Sequence, residues 1–260
     1  MTAGVKYAVV TGASKGLGKY FARALAARKQ NLILVARSKD KLQALANELR
    51  NAHSILAEPL ELDLASAGAG LQLAQKLREQ DFQAELLVNN AGFGERGEFV
   101  QLSLEHQLQM IHLHNTAVVE LTYQLLPAMI EAGHGGIINV SSMAGFQPVP
   151  YAALYSATKS FLTTFSMALR EELRPSGVKV VTVCPGRLRA DPEDAEAHEK
   201  RQKVPGGEQL HEDVVNETLK KLDSGGGLVI PGRLNRLTVR GQRLMSLNAV
   251  PKIVARISKS

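Results

Sequence analysis

The chain has 260 residues, of which 45% are hydrophobic and 22% charged, a composition ordinary for a soluble globular protein with one sizeable α/β domain. Cys184 is the only cysteine, which excludes an internal disulfide, and with no signal peptide or apolar run of transmembrane length we expect a cytoplasmic protein. The net charge of +6 is concentrated in residues 224–260, which hold seven basic and no acidic side chains, so it does not indicate nucleic-acid binding by the main domain.

The first predicted strand, 7–10, leads directly into a glycine-rich turn and then into a helical pattern. In this context the backbone N–H groups of a helix N-terminus bind the phosphates of a dinucleotide. Gly12 allows the tight turn, Gly16 lets the backbone approach the pyrophosphate, and Gly18 allows the helix to pack closely. The turn residues that we predict to bind a cofactor are Gly12, Ser14, Lys15, Gly16, Leu17 and Gly18.

The end of the second predicted strand, 32–35, indicates which dinucleotide is bound. An acidic residue here would accept a hydrogen bond from a free ribose 2′-hydroxyl, and Ala36 cannot do so. Arg37 and Lys15 instead offer positive charge to a 2′-phosphate, which favours NADP(H) over NAD(H). The alternative is that both are solvated surface cations.

Strands and helices continue to alternate along the chain. The later predicted strands are 55–62, 86–88, 136–140, 179–183 and 228–230, and the later helices are 39–50, 71–80, 104–132, a segment ending at 173, and 212–222. This alternation predicts a single doubly wound Rossmann-type α/β domain with a mostly parallel sheet of about seven strands. We assign residues 1–232 to this catalytic and dinucleotide-binding domain and 233–260 to a basic amphipathic C-terminal extension.

Tyr155 and Lys159 are the strongest candidates for catalysis. Four residues apart on a helix, they lie on one face, so the ammonium group can favour the phenolate and lower the phenol pKa from its usual value near 10. Tyr155 would then serve as an acid or base. Ser142 follows the strand 136–140, and its hydroxyl could hold a substrate oxygen against Tyr155.

These motifs, with the run Asn89-Asn90-Ala91-Gly92, together resemble the short-chain dehydrogenase/reductase family of nicotinamide-dependent oxidoreductases over residues 5–190. The resemblance implies that Asp63 accepts a hydrogen bond from the adenine amino group and that Lys159 also binds the nicotinamide ribose. It further implies that Asn90 braces the central sheet. The remaining predicted cofactor-binding residues, at the ends of strands, are Leu64, Ala91, Gly92, Pro185 and Gly186.

Two positions depart from the family pattern. His114 occupies the place of a structural and catalytic asparagine, with Asn115 one position late, and we include His114 among the candidate catalytic residues. Ala190 stands where a threonine commonly holds the nicotinamide amide. Because His112 and His114 are two apart on a helix, they make a poor metal pair, and no metal is expected.

The predicted activity is hydride transfer between NADP(H) and a carbonyl or secondary alcohol of aldehyde, ketone or 3-oxoacyl type. The alternative is a non-catalytic NADP(H)-binding sensor or scaffold, favoured by His114 and Ala190 and opposed by Ser142, Tyr155 and Lys159. The expected partners are a small-molecule substrate and a second copy of the chain, as a homodimer or homotetramer, without nucleic acid. Six residues that flank the motifs indicate a partly apolar pocket: Phe93, Met143, Phe146, Pro148, Val149 and Tyr151.

Two further segments leave alternatives open. Residues 187–211 are charged and poor in large apolar groups, which is typical of a mobile lid or of a plain surface loop. An apolar stripe, Val250, Ile253, Val254 and Ile257, runs alongside basic residues in the C-terminal extension. This stripe indicates a helix docked on its own domain, a lid over a partner subunit's site, or a peripheral membrane contact.

Overall fold

A seven-stranded sheet forms the centre of the protein, and every neighbouring pair of strands is parallel. The computed structural model describes residues 5–191, 207–242, 246 and 249–259. The strand order is β3-β2-β1-β4-β5-β6-β7. The strands are β1 (Lys6–Thr11), β2 (Asn31–Ala36), β3 (Ala57–Glu61), β4 (Gln83–Asn89), β5 (Gly135–Val140), β6 (Val178–Val183) and β7 (Gly227–Val229). The predicted fold class is confirmed.

Helices connect the strands and cover both faces of the sheet. They are α1 (Gly16–Ala27), α2 (Lys39–His53), α3 (Ala69–Glu79), α4 (Leu104–Ile111), α5 (Ala117–Ala132), α6 (Ala153–Glu172), α7 (His211–Asp223), α8 (Arg233–Gln242) and α9 (Ala249–Lys259). The order of the strands reverses between β1 and β4, and in such sheets ligands bind beyond the carboxyl ends of the strands at this point.

The strands are buried on both faces, because a parallel sheet of this kind is packed between two helical layers. Val10 belongs to the core shared with α1, α2 and α7, whereas its neighbour Val9 belongs to the core shared with α3, α5 and α6. Each buried aliphatic side chain of this size contributes about 1.5–3 kcal/mol relative to an exposed one. The two cores therefore hold the carboxyl edge of the sheet as a rigid platform for the loops that follow the strands.

Two helical segments differ from the prediction. The single helix expected over 104–132 is divided by a π-helical turn, His112–Thr116, between α4 and α5. Helix α8 was not predicted, because most of its apolar residues do not lie on the face that packs against the core. Leu234 and Leu237 are exposed, whereas the buried face contains Asn235 and Val239.

The predicted lid is described only at its two ends. Residues 187–191 and 207–211 come together, since Gln209 donates its N–H to the Arg187 carbonyl and accepts from the Arg189 N–H at 2.8 and 2.9 Å. Residues 192–206 lie outside the described residues. In the C-terminal extension Val250 is buried and Ile253 is exposed, whereas the side chain of Ile257 lies outside the described part. The division of the chain at residue 232 stays a prediction.

No helix within the described ranges combines the length and the hydropathy needed to cross a lipid bilayer.

Candidate active site

The glycine-rich turn is fastened to the loop after β4 by a small hydrogen-bond network. Thr11 Oγ1 donates to the Val88 carbonyl at 3.1 Å and accepts from the backbone N–H groups of Asn90 and Ala91 at 2.9 and 3.1 Å. The Asn90 side chain donates to the Thr11 carbonyl at 2.9 Å and to that of Gly12 at 3.3 Å. These contacts join the two loops that flank the point where the strand order reverses.

Two glycines of the turn leave no room for a side chain. A Cβ on Gly12, whose φ is +66°, would lie 2.9 Å from Ala91 Cα, and one on Gly18 would overlap the Gly12 carbonyl oxygen. Because a side chain is absent at both positions, the backbone of the turn packs closely against the first turn of α1, which begins at Gly16. The unpaired N–H groups and the positive end of the dipole at such a helix start suit a diphosphate, so the residues present fit a dinucleotide.

Positive charge surrounds the outer end of this site. Arg37 follows β2 and Lys15 immediately precedes α1, and both are exposed. The Ala13 N–H donates to the Val35 carbonyl at 3.2 Å, which keeps the two loops adjacent. Sequence reasoning missed three further cations, Lys19, Arg23 and Lys41, that line a cavity of about 400 Å³ next to Lys15. The spacing of Lys19 and Arg23 from the turn along α1 could have indicated these two, whereas Lys41 lies on α2. The cavity lining is Ser14, Lys15, Lys19, Arg23, Lys41, Ala44, Leu45, Glu48 and Asp191.

The predicted adenine-side residues lie at the end of β3. Asp63 is exposed and accepts from the Ala65 N–H at 3.0 Å, whereas the Leu64 side chain is buried. On the opposite side of the sheet, the Pro185 carbonyl accepts from the Met143 N–H at 3.0 Å, and Gly186 donates to the Gln209 side chain at 2.8 Å.

Ser142 and Tyr155 meet in the structure. Helix α6 carries Tyr155, and Ser142 lies just beyond β5, where its hydroxyl accepts from the Ala144 N–H at 3.1 Å. The same Ser142 hydroxyl faces the Tyr155 phenol and lowers the pKa of the phenol. The predicted hydroxyl pair is therefore assembled from two separate elements of the fold.

The effect of Lys159 on Tyr155 is not the one expected from their spacing. Burial raises the pKa of the Tyr155 phenol, the hydrogen bond from Ser142 lowers it, and the nearby Cys184 raises it. Lys159 is itself buried, donates to the Val140 carbonyl at 3.0 Å, and has its pKa lowered by burial to about 8. The expectation of an acidified phenol is wrong for this arrangement, because desolvation is the largest effect on the phenol and Lys159 is not among the groups that shift its pKa.

His114 is fully buried beneath the site and is held at both ring nitrogens. Its Nε2 accepts from the Phe93 N–H at 3.2 Å, and its Nδ1 lies 2.9 Å from Thr158 Oγ1. The ring is edge-on to Tyr155, with centroids 5.9 Å apart. Burial and the charge of Lys159 hold the pKa of His114 well below its usual value near 6.5. His114 thus touches the loop after β4 and helix α6, not the Tyr155 hydroxyl.

Four of the six residues predicted to line one apolar pocket line two separate cavities instead. Tyr151 lines a cavity of about 300 Å³ next to Tyr155, together with Glu95 and the buried Gln107, whose amide donates to that carboxylate at 2.7 Å. Sequence reasoning missed this polar pair, because the two residues are joined only by the fold. Phe146, Pro148 and Val149 line a separate cavity of about 510 Å³ against Ser156, Ala157 and Ser160 on another face of α6.

No group of three or more His, Cys, Asp or Glu side chains in the described ranges is arranged to hold a metal ion.

The sequence of this chain is similar to those of known proteins. The sequence matches the short chain dehydrogenase family over residues 6–201. The ketoacyl reductase HetN of Nostoc sp. is 36% identical over 181 residues, which cover 70% of this chain and 63% of that protein. The human very-long-chain 3-oxoacyl-CoA reductase is 36% identical over 184 residues, covering 69% of this chain and 58% of that protein. The chain thus spans less than two thirds of the length of these two relatives.

A solved structure provides a fuller match. A short-chain dehydrogenase from Sphingobium yanoikuyae in complex with NADPH is 33% identical, with a TM-score of 0.80, and the alignment covers 92% of this chain and 94% of that one. The similarity extends beyond the sheet to most of the described chain.

Proposed function

Because this chain belongs to the short-chain dehydrogenase family, we propose that it is an oxidoreductase that transfers a hydride between NADP(H) and a carbonyl or secondary alcohol. The observation that carries the proposal is that the fold brings the Ser142 hydroxyl, which follows β5, next to the Tyr155 phenol of α6. This pair lies at the same edge of the sheet as the glycine-rich turn, whose geometry fits a dinucleotide.

In the reduction, Tyr155 holds the proton that the carbonyl oxygen receives. The raised pKa keeps its phenol protonated at neutral pH, which suits a proton donor. Ser142 donates a hydrogen bond to the same substrate oxygen as negative charge develops there. The nicotinamide, when bound, supplies the hydride to the carbonyl carbon. The ammonium of Lys159 stabilises the phenolate that remains until solvent returns the proton.

The preference for NADP(H) is supported by the charges around the outer end of the site. Lys15 and Arg37 are cations next to the turn, and Ala36 cannot accept from a ribose 2′-hydroxyl. A phosphate group pairs well with such cations, arginine in particular. The NADPH complex of the Sphingobium yanoikuyae relative agrees with this preference.

The substrate that we propose is a ketone or a 3-oxoacyl compound. The names of the Nostoc and human relatives support a 3-oxoacyl carbonyl. The cavity of about 300 Å³ beside Tyr155, lined by Phe99, Leu102 and Leu154 as well as Glu95, accommodates a partly apolar group.

We also propose that two copies of the chain associate through α5 and α6. On these helices the large apolar side chains of Tyr123, Phe161 and Met167 are exposed by 76%, 45% and 44%. Exposed apolar surface often marks a protein–protein contact. For the C-terminal extension, the exposed Leu234 and Leu237 beside Arg233 and Arg240 support a peripheral membrane contact as one candidate role.

The rival function is an NADP(H)-binding sensor or scaffold without turnover. It is favoured by Ala190, which offers no hydroxyl to a nicotinamide amide, and by His114 in place of the family's asparagine. The assembled Ser142 and Tyr155 pair favours the enzyme.

One experiment separates the two. NADPH and NADH are titrated against the protein by cofactor fluorescence, and aldehydes, ketones and 3-oxoacyl thioesters are then added to the NADPH complex. We expect tighter NADPH binding and oxidation with at least one substrate class. Tight binding without oxidation across the panel would favour the sensor.

A further inference from the structure

The hydrogen bonds around His114 determine which nitrogen carries its proton. Thr158 Oγ1 donates its only hydrogen to the Tyr155 carbonyl at 2.9 Å, so toward His114 it can only accept. Nδ1 must therefore be the donor. At the other side of the ring, the Phe93 N–H points at Nε2 at 3.2 Å and requires a lone pair there. The Phe93 contact thus selects the neutral imidazole with its hydrogen on Nδ1, and the Thr158 hydroxyl, which donates to the Tyr155 carbonyl, accepts that hydrogen.

A protonated ring does not fit this position. A hydrogen on Nε2 would face the Phe93 N–H, and Lys159 brings a further positive charge to the same side, since its ammonium and the His114 Nε2 both lie near Gly92. The titratable groups that face the ring are Lys159 and Tyr155 of α6. Lys159 is a cation and the Tyr155 phenol, with its raised pKa, is uncharged, so neither supplies a negative charge that could stabilise an imidazolium.

The neighbouring residue strengthens the same connection. The π-helical turn lets two consecutive residues reach α6, because Asn115 donates to the Thr158 carbonyl at 3.1 Å while His114 contacts the Thr158 hydroxyl. Thr158 is thus held from both ends, one residue before Lys159 and three after Tyr155. A π-bulge in a helix commonly marks a functional position.

We propose that His114 is a positioning residue that sets the distance between the loop after β4 and the catalytic helix α6, and that protons do not pass through its ring. One nitrogen holds the Phe93 amide and the other holds Thr158, whose hydroxyl is bonded to the Tyr155 backbone. Both ring nitrogens are already hydrogen-bonded, Nε2 by the Phe93 amide and Nδ1 by the Thr158 hydroxyl, so neither is left to pass a proton between the site and solvent. The inference deepens the proposed function and rests on it for its kinetic part.

The state of the ring is tested without any turnover. The protein is labelled with ¹⁵N-histidine, with His114→Asn for assignment, and its imidazole nitrogens are followed by NMR between pH 5.5 and 8.5. We expect one histidine to show a protonated Nδ1 and an unprotonated Nε2 at every pH. A His114 ring with its hydrogen on Nε2, or one that titrates near pH 6.5, would overturn the inference, even if no substrate is ever found.

The positioning role is tested on the active enzyme. His114→Phe, which keeps a ring but removes both nitrogens, and Thr158→Val should each lower kcat by about tenfold or more, because small displacements of reacting groups are costly, with NADPH affinity within about threefold of wild type. The double variant should be little worse than either single one, since both remove the same connection. Thr158→Ser, which keeps the hydroxyl, should recover most of the loss. His112→Phe in the same π-helical turn is the matched control.

The pH profile distinguishes positioning from proton relay. We expect the profile of kcat for His114→Phe to keep the shape of the wild-type profile at a lower level. An acidic limb near pH 6–7 in the wild type that disappears in His114→Phe would show that the ring exchanges protons during turnover. Additive losses in the double variant would equally contradict the shared connection.

Discussion

The ammonium nitrogen of Lys159 lies 5.9 Å from the centroid of the Tyr155 ring, one helical turn away. It donates to the Val140 carbonyl of β5 instead of to the phenol oxygen, and only 5% of the residue is exposed. The lysine is therefore a buried cation tied to the sheet. Its charge is available to stabilise a phenolate without a direct hydrogen bond to it.

This burial makes the stability of the protein depend on pH. The pKa of Lys159 is about 8 in the folded protein and near 10.5 when unfolded, so between these values the unfolded state binds more protons. Stability from this group therefore rises with pH. Relative to Lys159→Met, the wild type should gain about 1 kcal/mol in unfolding free energy per pH unit between pH 8.5 and 9.5. Urea unfolding of both proteins at several pH values measures the difference in unfolding free energy. A difference that does not change with pH would contradict the lowered pKa of Lys159.

Removing the Ser142 hydroxyl should affect both the rate and its pH dependence. Ser142→Ala is expected to lower kcat by about 10²–10³, the usual cost of losing a hydrogen bond to a developing oxyanion. The Ser142 hydroxyl also lowers the pKa of Tyr155, so without it alcohol oxidation, which requires the phenolate, should need higher pH. Steady-state kinetics from pH 6 to 10 measure both effects. Ser142→Thr retains a hydroxyl as the control, and an unshifted profile for the alanine variant would contradict the contact.

The choice of cofactor should depend on the two cations of the outer site. Lys15→Ala and Arg37→Ala are each expected to weaken NADPH binding by about tenfold or more, because each removes a charge-assisted contact, and to leave NADH binding nearly unchanged. Lys220→Ala, which removes an exposed cation at the end of α7, should change neither. Fluorescence titrations with both cofactors give the constants. Equal losses of affinity for NADPH and NADH would mean that these cations bind a part of the cofactor that both molecules share, not the 2′-phosphate.

The glycine-rich turn should not tolerate a methyl group. Gly18→Ala places a Cβ against the Gly12 carbonyl and 2.5 Å from the Asn90 side-chain nitrogen, and we expect a loss of about 1–3 kcal/mol in stability. Gly241→Ala on α8 meets no atom within 4 Å and should be neutral or slightly stabilising. Thermal unfolding of both variants measures the difference. A Gly18→Ala protein as stable as the wild type would show that the turn can move away from Asn90.

Much of the fold was predictable because its signals are local. Strands buried on both faces appear as apolar runs, and all seven were placed within a few residues of their observed ends. The position of Tyr155 relative to Lys159 follows from helical spacing alone. Helix α8 gave no such signal, since its buried face is partly polar.

Parts of the site depend on contacts between distant residues and could not be predicted. His114 is bonded to Phe93 and Thr158, which are 21 and 44 residues away in the sequence. The direction in which the Tyr155 pKa shifts depends on how deeply its hydroxyl is buried. The position of the Lys159 ammonium depends on its hydrogen bond to the Val140 carbonyl of β5. The spacing of residues along one helix gives neither the burial of the Tyr155 hydroxyl nor the position of the Lys159 ammonium.

Replacing Tyr155 by phenylalanine tests the central claim most directly, because it removes only the hydroxyl that we propose delivers the proton. NADPH oxidation is measured for wild type and Tyr155→Phe with the best carbonyl substrate, and NADPH affinity is measured by fluorescence on the same preparations. We predict a fall in turnover of about 10²–10⁴, with cofactor affinity within about threefold of wild type. Turnover close to that of the wild type would contradict the assignment of Tyr155 as the proton donor.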